Sequence, residues 1–467
     1  MKKLISLMLA FLLMISTAYA AQIDWNYRYT YAELEAQMRT ICEEYPDLTQ
    51  MYQIGHTWRE RSLWCVEITD ETVAKEEKTG IAVFGNIHGG ERESASCAMY
   101  FMWWLTANSK TEKVQDLLKD YVVYVIPVIN PDGYEQSFVI NTRENMRPLD
   151  LNGDGIPFSD PYTDLDGDGA IGYLLPGKAD DDMTWLTEGP WYITYLPEFQ
   201  QKTLGLESPD WDGNGILGDD PRNSGVDMNR TFDYQWGRYD IDAEGTELGT
   251  IGDPSSFPSA GGLAALDPEI QAVQNFLIKT DVNALVTLHT GIQCVLYPWC
   301  YRQFDPSIDG EDILFMKDTA AKMAAAYQNT TGRGFYTKSS WEDYPTAAEL
   351  IDWSYGRLNI HSYTIEVYCP GKSATGDIAE CCWEDDLPEA TLKFYTLNEV
   401  AAMGLDLSSF DLGNAEGVWF YTPSDNLDTN YAPADQDIMC EGCKDALLVM
   451  MESEPYGQGW TVPWYLQ

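Results

Sequence analysis

The sequence predicts an α/β fold with a mixed, mostly parallel central sheet flanked by helices. Short apolar runs typical of buried strands alternate with longer segments of helical periodicity along most of the chain. Apolar residues make up 45% and aromatic residues 13% of the sequence, which excludes extensive disorder. Polar residues follow two of the strand-like runs directly, at the position where open α/β sheets bind ligands.

The first twenty residues predict a secretory signal. Lys2 and Lys3 precede an apolar stretch, and Ala18 and Ala20 provide a small-residue cleavage site. We therefore expect an exported protein, extracellular or periplasmic, whose mature chain begins near residue 21. No later stretch approaches the length of a membrane span, so we expect no membrane association after removal of the signal.

The formal net charge of −45 at pH 7 excludes nucleic acid as an expected partner. So acidic a surface repels nucleic acid and anionic lipid, and it suits solubility in salt or calcium binding. The oligomeric state is left open, with a monomer as the expectation.

Ten cysteines in an exported chain permit disulfides, but their pairing is not readable from spacing. The pair Cys440 and Cys443 is consistent with a metal or redox pair, or with a structural disulfide or free thiols.

The first part of the chain predicts alternating helices and strands. Apolar positions on one face predict a helix at 31–45, and a dense apolar run predicts another at 94–105. The predicted strands are 51–54, 63–68, 81–85 and 121–129, the last ending at an Asn-Pro-Asp-Gly turn at 130–133.

The later part continues the alternation. Helices are predicted at 267–279, 311–327 and 392–403, and strands at 284–289 and 361–368, with a loop and short helix over 341–355. Residues after about 408 carry few pattern signals, and no fold is predicted for them.

A candidate metal site follows from the few histidines. His88 and Glu91 lie three residues apart in the loop after the strand at 81–85, and His289 ends another strand. Two imidazoles and a carboxylate suit Zn²⁺, whose catalytic sites have three protein ligands and an open water position. The alternative for the His-x-x-Glu spacing alone is an ordinary surface loop.

An acidic segment repeats one pattern three times. Alternate Asp and Asn residues followed by Gly match the first half of a calcium loop. The candidate Ca²⁺ ligands are Asp150, Asn152, Asp154, Asp164, Asp166, Asp168, Asp210, Asp212 and Asn214. The twelfth-position Glu of EF-hands is absent, so we predict calcium-stabilised loops rather than EF-hands, with metal-free Asp-Gly turns as the alternative.

Ordered motifs over residues 27–405 resemble those of the zinc metallocarboxypeptidases, the carboxypeptidase A and B superfamily (peptidase M14). The motifs are Asn86-Ile-His88-Gly-Gly-Glu91, Asn130-Pro-Asp-Gly-Tyr134, Gly225-Val-Asp-Met-Asn229-Arg230, Leu288-His289-Thr290 and Ile351-Asp-Trp-Ser-Tyr355, with Glu366 downstream. The resemblance implies a zinc carboxypeptidase-like catalytic domain at 21–405, containing the acidic insertion 148–224, and a C-terminal extension at 406–467.

The resemblance also implies roles for single residues. His88, Glu91 and His289 would hold one catalytic Zn²⁺, and Glu366 would act as general base and then acid. Asn229, Arg230 and Tyr344 would bind the substrate's terminal carboxylate.

Two roles implied by the resemblance have alternatives. Arg147 is the candidate for stabilising the oxyanion, with Arg143 as the alternative because the insertion distorts the spacing. Ile351 falls at the pocket-floor position and indicates apolar or aromatic C-terminal residues, whereas nearby Glu349 would shift the preference towards basic ones.

The sequence therefore predicts a secreted zinc carboxypeptidase acting on peptide or protein C-termini. Two alternatives stay open: a related zinc amidase acting on cell-wall peptides, and a non-catalytic calcium-dependent binding protein on the same scaffold.

Overall fold

An eight-stranded mixed sheet forms the centre of the molecule, in the order β1-β2-β4-β3-β9-β12-β10-β11. The computed structural model describes residues 23–140, 142–150, 152–188, 193–208, 210, 213, 217–218, 225–236, 240–241, 247–248, 264–369, 390–423 and 435–454. The strands of this sheet are β1 (Thr49–His56), β2 (Ser62–Ile68), β3 (Thr79–Gly85), β4 (Tyr121–Ile126), β9 (Ala284–His289), β10 (Cys294–Tyr297), β11 (Tyr336–Ser339) and β12 (His361–Glu366).

The middle of the sheet is parallel, because β4, β3, β9 and β12 all run in one direction. Antiparallel pairs join β1 to β2, β2 to β4, and β10 to β12. Strands β3 and β9 are buried along their whole length, as expected for a sheet covered on both faces. The prediction of an α/β fold with a mixed, mostly parallel sheet is confirmed.

Helices cover both faces of this sheet. They are α1 (Tyr31–Glu44), α2 (Arg92–Ala107), α3 (Glu112–Asp120), α4 (Pro131–Gln136), α7 (Pro268–Lys279), α8 (Glu311–Thr331), α9 (Ser340–Asp343), α10 (Leu350–Leu358) and α12 (Gln436–Ser453), with 3₁₀ turns at Lys75–Glu77 and Met228–Arg230. One core cluster includes buried residues of α1, α2, α8 and α12, and a second includes those of α7 and α10.

A second, smaller sheet of order β13-β14-β5-β6 joins the acidic segment to residues near the C-terminus. Its strands are β5 (Tyr173–Gly177), β6 (Gly205–Leu206), β13 (Thr391–Thr396) and β14 (Gly417–Thr422). Helices α5 (Thr184–Thr187), α6 (Pro197–Gln200) and α11 (Leu397–Ala402) and the turn Ile193–Tyr195 accompany it, and β7 (Asp240–Ile241) pairs with β8 (Glu247–Leu248) in a separate ribbon.

Two parts of the chain near its end differ from expectation. The helix predicted at 392–403 is wrong over its first half, where β13 pairs antiparallel with β14, for example Phe394 with Trp419. Aromatic residues favour a strand when a partner strand is present, and this partner comes from later in the chain. Within 406–467, where no fold was predicted, the structure describes β14 and α12.

The predicted signal at 1–20 and the calcium candidates Asp212 and Asn214 lie outside the described residues. In the described part of the chain, none of the helices combines the length and the apolar character needed to cross a membrane.

Candidate active site

The carboxyl ends of three parallel strands bring the site residues together. Strand β3 ends at Gly85 and leads into the loop with His88 and Glu91, while β9 ends at His289 and β12 ends at Glu366. His289 and Glu366 are register partners in the parallel pairing of β9 and β12. A pocket of about 190 Å³ at this edge of the sheet is lined by all four side chains.

The loop that carries His88 is shaped by its own polar side chain and by a close backbone contact. Asn86 has a positive φ of 55°, and its side-chain amide donates to the carbonyl oxygens of His88 (2.9 Å) and Gly89 (3.0 Å). A Cβ atom at Gly89 would lie 2.5 Å from the backbone of Gly133, so a side chain there would displace one of the two loops. This contact explains why Gly follows His88.

His88, Glu91 and His289 form a buried set of metal-binding atoms. The Nδ1 atom of His88 lies 2.6 Å from Oε1 of Glu91, and Nδ1 of His289 lies 3.0 Å from Oε2 of the same carboxylate. One ligand atom from each residue falls within 4.8 Å of the other two. Two imidazole nitrogens and a carboxylate facing one point fit the donor set of a catalytic zinc site.

Asp227 supports this set from the other side of the His88 ring. Its Oδ1 atom lies 3.1 Å from Nε2 of His88, and its Oδ2 atom accepts from the Arg143 guanidinium at 3.2 Å. Burial opposes ionisation, but His88, Arg143 and Arg230 hold the pKa of Asp227 well below its usual range. The sequence prediction gave Asp227 no role, although it lies two residues before Asn229.

Glu366 faces the pocket with an unused acceptor. Among the described residues its buried Oε2 atom has no hydrogen-bond partner. Burial, together with the negative charges of Glu91 and Asp343, raises the pKa of Glu366 to about 8 against the opposing effect of His289. A dication held by the neighbouring ligands would lower this pKa again.

The structure brings Arg143, and not Arg147, to the pocket. The Nη1 atom of Arg143 lies 3.5 Å from Oε1 of Glu91, and Arg143 lines the pocket. Arg147 is absent from the residues that line the pocket; its Nη1 atom lies 3.8 Å from the buried carboxylate of Asp267. The expected position of Arg147 is therefore corrected: its guanidinium lies beside Asp267, outside the pocket.

Asn229, Arg230 and Tyr344 lie together at one wall of the pocket. The Nη2 atom of Arg230 donates to the Tyr344 hydroxyl at 3.0 Å. The Oδ1 atom of Asn229 accepts from the backbone of Leu350 at 3.0 Å, so its amide nitrogen remains the donor available to a ligand. Tyr344 is 52% exposed and therefore stands at the mouth of the pocket.

The predicted pocket floor is also corrected. Ile351 is buried and does not line the pocket, whereas Glu349, two residues earlier, does. Glu349 is the residue before the first turn of α10, and its Oε1 atom accepts from Nη1 of Arg230 at 3.0 Å. Its other oxygen accepts from the Cys300 thiol at 3.3 Å. The floor position depends on side-chain direction, which counting along the sequence did not provide.

Two of the acidic loops have the same internal structure. In the first, Asp150 accepts from the backbone of Gly153 and Gly155; in the second, Asp164 accepts from Gly167 and Gly169. The carboxylates of Asp164, Asp166 and Asp168 lie within 4.8 Å of one another.

In the first loop, Asn152 Oδ1 accepts from the backbone of Asp154 at 3.1 Å. Of the third copy, Asp210 is described, and its partners Asp212 and Asn214 lie outside the described residues.

Lys393 lies beside the second acidic loop. Its ammonium is 3.0 Å from Oδ2 of Asp166 and 3.6 Å from Oδ2 of Asp168. The loop therefore also contacts β13, the strand from near the C-terminus.

A comparison with protein families matches the chain to the zinc carboxypeptidase family over residues 34–170 and 183–385. Among curated proteins, Carboxypeptidase B of Astacus astacus is 22% identical over 74% of this chain and 88% of that protein. Zinc carboxypeptidase A 1 of Drosophila melanogaster is 22% identical over 74% of this chain and 61% of its own length. Human Carboxypeptidase D is 30% identical over an alignment that covers 26% of this chain and 9% of that protein.

Solved structures share the fold. Bovine thrombin-activatable fibrinolysis inhibitor, in complex with tick carboxypeptidase inhibitor, aligns with a TM-score of 0.53 and 16% identity over 92% of this chain and 97% of that one. Carboxypeptidase A from Helicoverpa armigera aligns with a TM-score of 0.52 and 16% identity, covering 78% and 71% of the two chains.

Proposed function

Because this chain belongs to the zinc carboxypeptidase family, we propose that it hydrolyses the C-terminal peptide bond of peptides and proteins at the pocket between β3, β9 and β12. The observation that carries the proposal is the meeting of His88, Glu91 and His289 with the unpartnered oxygen of Glu366 in one pocket.

The metal ligands in this proposal are Nδ1 of His88, the carboxylate of Glu91 and Nδ1 of His289. When bound there, zinc supplies a Lewis acid that polarises the scissile carbonyl and lowers the pKa of water towards about 7. Asp227 Oδ1 lies 3.1 Å and Arg143 Nη2 lies 3.0 Å from Nε2 of His88, and these contacts hold the ring with Nδ1 towards Glu91.

Glu366 serves as general base and then as general acid. Its Oε2 atom has no competing donor in the described part of the chain, so it is available to accept a proton from the attacking water. The same carboxyl then protonates the leaving amine. Its position at the end of β12, in register with His289, holds it beside the metal ligands.

Arg143 is the proposed oxyanion partner. Its guanidinium lines the pocket next to Glu91 and is held in place by Asp227. A positive group fixed beside the reacting carbonyl stabilises the negative charge that develops on its oxygen. Arg147 is assigned no part in catalysis.

The proposed exopeptidase specificity depends on Arg230, Asn229 and Tyr344. The planar fork of Arg230 matches a terminal carboxylate, and the Asn229 amide adds a neutral donor. Tyr344 is exposed, its hydroxyl already contacts Arg230, and its ring would close over the bound carboxylate.

We further propose that the preferred C-terminal residue is Lys or Arg. Both η nitrogens of Arg230 already have partners, Glu349 and Tyr344. A substrate carboxylate bound to Arg230 adds negative charge next to Glu349, and a cationic side chain in the pocket would offset it. This replaces the apolar preference that was inferred from Ile351.

Export and calcium binding are further parts of the proposal. The predicted signal at 1–20 supports export, and the carboxylates of Asp164, Asp166 and Asp168 support one Ca²⁺ ion in the segment 148–224. Calcium bound to the folded state alone would raise the melting temperature with concentration. Asp166→Asn should abolish most of that rise, and a rise that persists in this variant would contradict the site.

The function is tested with a panel of blocked dipeptides that end in Lys, Arg, Phe, Leu or Glu, alongside a muramyl peptide. Zinc-loaded protein should release single C-terminal residues, and chelator should abolish the release. Glu366→Gln should retain zinc and lower kcat by about 10³-fold. Cleavage of the muramyl peptide alone would instead identify the amidase alternative, and a zinc-free, inactive protein stabilised by calcium would identify the binding-protein alternative.

A further inference from the structure

Three buried cysteines lie where the C-terminal helix α12 packs against α2, outside the pocket. Cys97 comes from α2, and Cys440 and Cys443 come from the first turns of α12. All three have 0% exposure, and the structure describes them as free thiols. The Sγ atoms of Cys97 and Cys440 are 3.8 Å apart.

The two helices are held in one register along this contact. Successive turns are joined by four side-chain contacts: Gln436 with Ser96, Cys440 with Cys97, Glu441 with Tyr100, and Lys444 over the ring of Trp104. The contacts on both sides of the thiols hold the two helices in this register. A disulfide needs Sγ atoms about 2 Å apart, so the two sulfur atoms must approach each other by about 2 Å for the bond to form.

We propose that Cys97 and Cys440 form a disulfide that fastens α12 to α2 when the chain folds under oxidising conditions. The bond would join residues 343 positions apart in the sequence. Cross-links that close long loops remove the most conformational freedom from the unfolded chain. Helix α2 begins at Arg92, directly after Glu91, so the bond fastens the C-terminal helix to the helix that follows the metal ligand.

The reaction is thiol–disulfide exchange with a small disulfide such as oxidised glutathione. The thiolate of one cysteine attacks the small disulfide and releases one reduced thiol; the second cysteine then attacks the mixed disulfide and releases another. Two protein thiols are oxidised to one disulfide, and one small disulfide is reduced to two thiols. Both cysteines are buried in the folded chain, so the exchange takes place during folding, while α12 docks on α2 and the thiols are still accessible.

Burial also explains the expected persistence of the bond. Burial and the neighbouring Cys440 and Cys443 raise the pKa of the Cys97 thiol well above its usual range. A neutral, inaccessible thiol reacts slowly, so the oxidised and the reduced chains should each keep their state once folded.

The experiment compares the full chain produced by an oxidising export route with the same chain produced in a reducing cytosol. Each is denatured with an alkylating reagent and no reductant, digested, and analysed by mass spectrometry. The exported chain should give a Cys97–Cys440 cross-linked peptide that disappears on reduction, and its melting temperature should exceed that of the reduced chain by about 5 °C.

Cys97→Ala tests the pair, and Cys443→Ala is its matched control on the same helix. Cys97→Ala should remove the cross-link and the difference in melting temperature between the two preparations, while Cys443→Ala should keep both. Full alkylation of Cys97 and Cys440 in the exported wild-type chain overturns the proposal. So does a link from Cys443 to either residue, and both results are read on the wild type even if a variant fails to fold.

Discussion

Nε2 of His88 lies 3.1 Å from Oδ1 of Asp227, while the other ring nitrogen faces Glu91. The imidazole is therefore held between two carboxylates with different tasks. Glu91 lies with the metal-binding atoms, and Asp227 holds the orientation of the ring. The same aspartate accepts from Arg143, so one buried carboxylate positions both a proposed metal ligand and the proposed oxyanion partner.

Removing the charge of Asp227 should lower the affinity for zinc. Asp227→Asn should weaken zinc binding by about 10- to 100-fold, because a neutral amide replaces the carboxylate that orients both His88 and Arg143. Zinc affinity is measured by competition with a chromogenic chelator. Asp309→Asn, which removes a carboxylate paired with Arg302 instead, is the control and should bind zinc as the wild type does. Equal affinity in both variants would contradict the positioning role.

The second prediction separates the two arginines. Arg143→Ala should lower kcat/KM by about 10²- to 10³-fold in zinc-loaded protein, because the lost group faces the reacting carbonyl. Arg147→Ala should instead destabilise the fold by about 3 kcal/mol, since it leaves the buried Asp267 carboxylate without its cation. The loss of kcat/KM is measured by steady-state kinetics normalised to bound zinc, and the loss of stability is measured by urea unfolding. Loss of activity with Arg147→Ala and loss of stability with Arg143→Ala would instead indicate Arg147 as the catalytic arginine.

The third prediction addresses substrate preference. Glu349→Gln should reduce the kcat/KM ratio between C-terminal Arg and C-terminal Phe substrates by about tenfold, because the variant no longer gains from a cationic side chain. Ile351→Val alters a buried residue that does not line the pocket and should leave the ratio unchanged. A change with Ile351→Val alone would favour the apolar floor.

The fourth prediction is a pH dependence of stability. Glu269 is fully buried on the first turn of α7, its side-chain oxygens have no hydrogen-bond partner among the described residues, and burial raises its pKa to about 8. A carboxyl whose pKa is higher in the folded than in the unfolded state adds most to the free energy of unfolding below its unfolded pKa of about 4.5. That contribution is lost as pH rises towards 8.

Glu269→Gln stays neutral at every pH and tests this directly. It should match the wild type near pH 5 and exceed it by about 2–4 kcal/mol near pH 9, measured by urea unfolding at both pH values. A stability difference that does not change with pH would show that Glu269 does not titrate in this range.

The sheet and the ends of its strands were predictable because their signals are local. The apolar runs before His88 and His289 each identified a strand and placed the polar residue at its end. Motif order then indicated which residues would meet. Arg147 and Ile351 were misplaced because counting along a chain does not show which way a side chain points.

Other features depended on distant segments. Strand β13 needs β14 as a partner, and its own residues gave no sign of it. Helix α12 carries apolar residues at Met439, Cys443, Leu447 and Met450, a helical spacing that was readable in the sequence but was not assigned. The contacts of Asp227 and Glu349 were not predictable, because the sequence does not show which side chains share the pocket.

The pairing of β9 with β12 sets the position of the Glu366 carboxylate relative to His289. Successive residues of a strand point to opposite faces of the sheet, so slipping β12 by one residue would turn the Glu366 carboxylate away from His289. The spacing between these groups is therefore fixed by main-chain hydrogen bonds. A single deletion within β12 should eliminate hydrolysis even in a chain that folds.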